Sequence, residues 1–289
     1  MDDSTIKTWQ QAVDYTFKTR DTWRHGNGAK TSAINCNHFT RLRGASFPIN
    51  RITQPILNGV CIELEDEGKS DATINRVVSA VSTVLNHLAF DQVIDNAPKF
   101  RRRKEAEGRV FWYTKDEVDK LSFLSTDVFM REDLRDIINF AAYTGMRQGE
   151  ILKIRKKDID LVTNKIHVGG VPTQTTKAKN WRAIPIHDKI MGNVMDRCSQ
   201  SSRSDVRIFG DQWRDKDQLL RAFKKVNKLL SKDENYVFHT LRHSYATWLA
   251  EAGVPLRSIM ALCGHKRVET TLKYAKATDS ALVEAMAAI

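Results

Sequence analysis

Cysteine is scarce in this chain, with four in 289 residues. Cys36, Cys61, Cys198 and Cys263 lie far apart and form no CxxC pair. That excludes a dense disulfide framework and points to free thiols in a reducing compartment. Long apolar runs are missing as well. No stretch reaches the roughly 18 apolar residues of a membrane span, and the opening MDDSTIKTWQ has no apolar core of the leader-peptide kind. Neither a membrane segment nor a secretory leader is expected. Internal repeats and low-complexity segments do not occur. Acidic residues are in deficit, with 35 Asp and Glu against 46 Lys and Arg, a net charge of +11. The excess lies on both sides of residue 104, which rules out a neutral enzyme with a basic tail. A polyanionic partner is expected, nucleic acid first and an acidic membrane surface second.

What is present suffices for two cores. The length suits two domains, and 41% of residues are hydrophobic, far from a disordered composition. Residues 1–97 read as helical. TWQQAVDYTFKTR has apolar residues at helical spacing. In SDATINRVVSAVSTVLNHLAF, Ser70 or Asp71 is a cap, and Ile74, Val77, Val78, Val81, Val84, Leu85 and Leu88 form one stripe. That stripe is read as core. Pro98 then breaks the helix, and the basic run Lys99–Lys104 reads as a solvated linker, or as a segment lying along DNA. The expected domains are therefore 1–104 and 105–289. In the second, Thr114 and Glu117 fit a capping box. A helix around residues 131–143 leads into YTGMRQGE. KIHV and RAIPI alternate like strands of a small antiparallel sheet, and the rest is helical.

Polar residues cluster in four segments. HTLRHSYATWLAEAG puts His239 and Arg242 three apart at the front of a helix that Gly253 ends, with Leu241, Tyr245, Trp248 and Leu249 on one face. Alone, this reads as an ordinary helix start. His239 and His243 at i, i+4, with Cys263 and His265 downstream, also have a zinc-like spacing. However, the glutamate of HExxH is missing, and Arg242 would stand beside the cation. TGMRQGE puts Arg147 in a turn after a glycine. TKAKNWRAIPI puts Lys177 and Lys179 before a strand. LCGHKRVETTLKYAK puts His265 after Gly264, and then Tyr274. A tyrosine there could equally be packing.

Taken in order, Arg147, a hairpin lysine, His239-x-x-Arg242, Gly264-His265 and Tyr274 resemble the catalytic signature of the tyrosine recombinases, the phage-type integrases. The match runs over about residues 110–289. The N-terminal part resembles that family's helical core-binding domain more loosely, through TINRVVSAVSTVL and NAP. The resemblance implies a mainly α fold with a small antiparallel β-sheet, arranged as a two-domain clamp on DNA. The core-binding domain would be 1–104 and the catalytic domain 105–289. Tyr274 would attack a phosphodiester and form a 3′-phosphotyrosyl link, so that no ATP is consumed. Arg147 and Arg242 would hold the phosphate, since guanidinium is planar, always charged and bidentate. His265 would donate to the phosphate, and His239 would help to manage the tyrosine proton.

In the family the lysine that protonates the leaving 5′-oxygen stands eight positions before a proline. Here that proline is Pro185, which selects Lys177 and leaves Lys179 to the backbone phosphate. Glu150 would orient Arg147, while His243, Tyr245 and Trp248 are read as helix support. No metal or cofactor is expected. The partners implied are specific double-stranded DNA sites and, on them, a homotetramer of a chain that is monomeric when free. The apolar end ALVEAMAAI, in the manner of the family, would pass to the next protomer. A separate arm-binding domain is not expected. The implied function is integration or excision of a mobile element, in the cytoplasm and on DNA. The alternatives are relaxation of the type IB topoisomerase kind and a non-catalytic DNA-binding regulator.

Overall fold

The computed structural model describes residues 6–26, 28–105, 110–169, 181–209, 213, 216–274 and 286. The chain falls into two compact units, Met1–Gly108 and Arg109–Ile289.

Unit 1 is helical among the described residues. Thr8 starts α1 (Trp9–Thr19) with a capping box completed by Gln11. α2 (Asp21–Arg24), α3 (Ala29–Arg43) and α4 (Gln54–Asp66) follow, the last with Pro55 in its first turn, where no backbone N–H is needed. Ser70 rather than Asp71 caps α5 (Asp71–Phe90), its side chain accepting from the Thr73 N–H. The stripe from Ile74 to Leu88 is buried throughout. It packs with Trp9, Phe39, Leu57 and Leu64, each such side chain contributing about 1.5–3 kcal/mol. Trp9 stacks at a tilt on Phe39 at 4.7 Å and donates from Nε1 to Thr40.

The basic run is less free than its composition suggests. Arg103 pairs with Glu65 at 2.8 Å and Asp71 at 3.2 Å. The Asn75 amide accepts from the Arg103 backbone N–H and donates to the Arg103 carbonyl and to Glu105. Residues 103–105 are therefore part of unit 1, and the division falls after Gly108 rather than after Lys104.

In unit 2 the Thr114–Glu117 capping box opens α6 (Lys115–Asp127). α7 (Glu132–Thr144) is buried along most of its length and stops at Gly145, which is left-handed with φ +60°. α8 (Gln148–Ile151) follows at once. A three-stranded antiparallel sheet, in the order β1 (Ile159–Asp160), β2 (Lys165–Val168), β3 (Arg182–Pro185), aligns Ile166 with Ile184. Its inward side chains Ile166, Val168 and Ile184 join the main core with Phe140, Phe209 and Phe223. After the sheet come α9 (Asp188–Ser199), α10 (Lys216–Leu229), α11 (Thr240–Glu251), α12 (Leu256–Cys263) and α13 (Val268–Leu272). The fold is thus mainly α with a small antiparallel sheet.

α11 departs from the single apolar face read in the sequence. Leu241 and Trp248 join the main core, whereas Tyr245 and Leu249 join a separate cluster of Ala246, Ile259, Cys263 and Tyr274. Helices α7 and α12 cover it on two sides, so Arg242 near its front end is enclosed, whereas His239 stays exposed. Gly253, at φ +71°, lets the chain turn away. No helix of the described residues is long and apolar enough to cross a membrane.

Candidate active site

Two left-handed glycines build the site. Gly145 ends α7 and turns the chain so that Arg147 becomes the residue before α8. Gly264, at φ +68°, ends α12 and presents His265. Both glycines are also pressed by neighbours. A Cβ on Gly145 would overlap the Tyr245 ring, and one on Gly264 would lie 2.8 Å from Arg182 Nη1.

The arginines reach across to these turns. Arg147 Nη2 donates to the Gly264 carbonyl at 3.1 Å. Arg242 Nη1 donates to the Gly145 carbonyl at 2.6 Å. Arg242 is only 3% exposed, and its Nη2 has no partner among the described residues. Burial, with other cations near, lowers this guanidinium to about 10. A buried donor of that kind is costly unless an acceptor arrives. Arg147 is far more accessible, at 45%.

Glu150 holds Arg147 as the sequence suggests, accepting from its backbone N–H at 2.8 Å and from Nη1 at 3.1 Å. The same carboxylate takes a bidentate pair from Arg182, whose Nε donates to the Leu262 carbonyl at 3.0 Å. Burial alone would raise the Glu150 carboxyl. The Arg182 and Arg147 bonds override it and hold the group at about 2. Sequence reasoning missed Arg182. Its signal was present: in RAIPI, Arg182 shares the inward side of the strand with Ile184, and a cation in that register needs an anion.

Tyr274 lies just after α13, in a turn rather than on a helix as expected, and its ring is buried with Cys263 and Ile259. Burial pushes its phenol up to about 12. The His265 ring lies nearly parallel to it, with centroids 6.3 Å apart, and Nδ1 of His265 meets the Thr271 hydroxyl at 2.8 Å. Burial and the nearby arginines lower His265 to about 4.

The partner of the Tyr274 hydroxyl is Nδ1 of His243, in a short hydrogen bond. This corrects the reading of His243 as helix support. The spacing of His239 and His243 was read only as a zinc motif, and the contact itself spans a tertiary fold. His239, expected beside the tyrosine, instead meets His243 edge-on with centroids 5.0 Å apart. Although the residue is exposed, desolvation of its ring and then the fields of Arg242 and Arg147 lower it too. Among the described residues, no group of three or more His, Cys, Asp or Glu side chains is placed to hold a metal ion. Lys177 and Lys179 lie outside the described residues, as does the tract 280–289 apart from Met286.

A cleft of about 1040 Å³ opens beside these groups, walled in part by Arg147, Trp181, Arg182, His265, Lys266 and Arg267. Among the described lining residues the one carboxylate, Glu150, is already paired with two of those arginines, so these residues offer net positive charge.

Residues 112–281 match the model of the phage integrase family, and the chain belongs to that family. Its activity is that of a tyrosine-type site-specific DNA recombinase. It is 25% identical to tyrosine recombinase XerD of Oceanobacillus iheyensis over 246 residues, covering 81% of this chain and 80% of that one. To tyrosine recombinase XerA of Thermococcus kodakarensis it is 29% identical, covering 74% of each. Among solved structures, the Tn1549 transposon integrase in complex with a circular intermediate DNA superposes with a TM-score of 0.74. The two are 19% identical, and the match covers 98% of this chain and all of that one. The lambda integrase tetramer bound to a Holliday junction gives 0.66 at 20% identity, over 92% and 79%.

Proposed function

We propose that Tyr274 is the nucleophile of strand cleavage and that Arg147, Arg242 and His265 bind the scissile phosphate. One observation carries the reading. Arg242 is buried in full, anchored by one nitrogen to the Gly145 carbonyl, with its other terminal nitrogen unpartnered among the described residues. A phosphate oxygen supplies the missing acceptor, and the charge that develops at phosphorus would meet donors already in position. With the Thr271 hydroxyl as donor in its contact with Nδ1 of His265, Nε2 would carry the proton offered to the phosphate. In the step itself the Tyr274 oxygen bonds to phosphorus while the bond to the 5′-oxygen breaks. That oxygen takes a proton from Lys177. The product is a 3′-phosphotyrosine and a free 5′-hydroxyl.

In this reading residues 1–108 form the core-binding domain and 109–289 the catalytic domain, and the two clamp the duplex. The chain is DNA-associated in the cytoplasm and acts in the integration or excision of a mobile element. It assembles as a tetramer on paired sites. The basic character of both halves supports the clamp. The family's DNA-bound relatives, a transposon integrase and a lambda integrase tetramer, support the element and the assembly.

The test is covalent capture. A pool of nicked duplexes of random sequence is incubated with the protein, and denaturant-resistant adducts are recovered and sequenced. The unaltered chain should yield adducts on a recurring site, and Tyr274→Phe should yield none while still shifting that site in a native gel. Adducts with the Phe variant would overturn the assignment. Joining of two recovered sites, rather than relaxation of a supercoiled circle alone, separates recombination from topoisomerase action.

A further inference from the structure

Two imidazoles, His243 and His265, flank the ring of the nucleophile assigned above, and among the described residues only His243 meets its hydroxyl. Besides Tyr274, the described titratable groups around His243 are imidazoles or cations. His239 and Arg242 lie on its own helix, Lys273 is the neighbour of Tyr274, and His265 lies across the tyrosine ring. No carboxylate figures among them. Burial first, then these neighbours, lower His243 to about 4, so it is neutral at pH 7 and able to accept a hydrogen bond. Tyr274, pushed up to about 12 by burial, does not ionise there unaided. It needs a base within hydrogen-bond reach.

We propose that His243 is that base: its Nδ1 accepts the Tyr274 proton as the phenolic oxygen bonds to phosphorus. The proposal rests on the assignment of Tyr274 as nucleophile. The Nε2–H tautomer leaves the Nδ1 lone pair facing the phenol. As the O–P bond forms, the phenolic proton passes to Nδ1, and the imidazolium holds it while the leaving 5′-oxygen is protonated by Lys177. On rejoining, the 5′-hydroxyl attacks, Lys177 recovers its proton, and His243 returns its own to the departing phenolate. His239 sits edge-on to His243 rather than on the phenol, which makes it a positioning residue.

The field that keeps His243 weakly basic comes partly from Arg242 and Lys273. A phosphodiester seated on the arginines opposes that field and raises the basicity of His243. Proton transfer is then enabled by the bound substrate and suppressed without it.

The experiment uses the duplex recovered by covalent capture, prepared with sulfur at the bridging 5′ position. Sulfur leaves without a proton, so the rate then reports attack alone. His243→Asn keeps an acceptor near the place of Nδ1 but takes no proton. It should cleave about 100-fold or more slowly on the sulfur substrate as well as on the natural one, in the range of general base catalysis. Lys177→Ala should recover on sulfur. Added imidazole should restore part of the His243→Ala rate. Melting temperature and duplex binding of both variants confirm that the fold is intact.

The proposal is overturned if His243→Asn stays within threefold of the unaltered chain, or if sulfur rescues it. Faster cleavage by His243→Ala would also overturn it, since His243 would then only park the hydroxyl. A Tyr274→Phe variant that still forms adducts would remove the nucleophile assignment beneath it. A dead Phe variant beside an active His243→Asn removes the base alone.

Discussion

Arg182 and Glu150 meet fork to fork, Nη1 to Oε1 at 3.1 Å and Nη2 to Oε2 at 2.7 Å. The pair joins β3 to the turn that carries Arg147, and the Leu262 carbonyl ties Arg182 to the end of α12. A carboxylate that orients Arg147 directly while being held by an arginine on another element makes the geometry of one depend on both.

Glu150→Gln keeps the shape and removes the charge. It should destabilise the protein by roughly 1.5–3 kcal/mol, the scale of a charged hydrogen bond, and lower cleavage more than DNA binding. The folded carboxyl is depressed to about 2 from an ordinary 4.5. Its contribution is therefore full above about pH 4.5 and is lost as pH falls toward 2. Urea unfolding of both proteins should show the gap between them closing over that window. A gap that stays constant from pH 6 to pH 2.5 contradicts the pair's role.

Gly145→Ala puts a Cβ into the Tyr245 ring at a left-handed position. The conformation alone costs about 1–2 kcal/mol, and the Gly145 carbonyl must shift away from Arg242. Melting temperature should drop, and the cleavage rate should drop further than at Gly149→Ala, where a Cβ meets nothing within 4 Å. Equal rates for the two variants would show that the carbonyl does not position Arg242.

Some of this was legible in the chain and some was not. The Thr114–Glu117 box, the α5 stripe and the strand pair depend on neighbours within a few residues, and each appears where its pattern put it. The Arg147–Glu150 contact is also local, at i, i+3. What escaped was long-range. The partner of the Tyr274 hydroxyl is 31 residues away and that of Arg182 is 32 away, and no spacing rule covers such pairs. Arg103 looked like linker because its anions sit on α4 and at the start of α5. β1 spans two residues, too few for alternation to register.

Lys177→Ala should slow cleavage of a natural duplex by roughly 10²–10⁴-fold, the usual share of a general acid. Lys179→Ala should weaken duplex binding instead and steepen nothing in the chemical step. Single-turnover rates at saturating protein separate the two effects. A rate loss at Lys179 with none at Lys177 would exchange their roles.

Deleting residues 280–289 removes the apolar end ALVEAMAAI. Single-site binding should persist, while tetramer formation on paired sites and recombination should fall about tenfold or more, as expected when a head-to-tail contact that closes a ring is lost. Sedimentation of the protein–DNA complex is the measurement. A truncated chain that still sediments as a four-protomer synapse would sink the idea.

The two glycine carbonyls that receive the arginines are cross-wired. Arg242 bonds the turn that delivers Arg147, and Arg147 bonds the turn that delivers His265. Each group proposed to bind the phosphate is thus part of the foundation of the next. Substitutions here should not combine as independent losses. Once the first bond is gone, its neighbour has already slipped, and a second change removes little that remains. The centre will fail as a single cooperative unit, and by the same logic a bound phosphate that fixes one arginine will tighten all three groups at once.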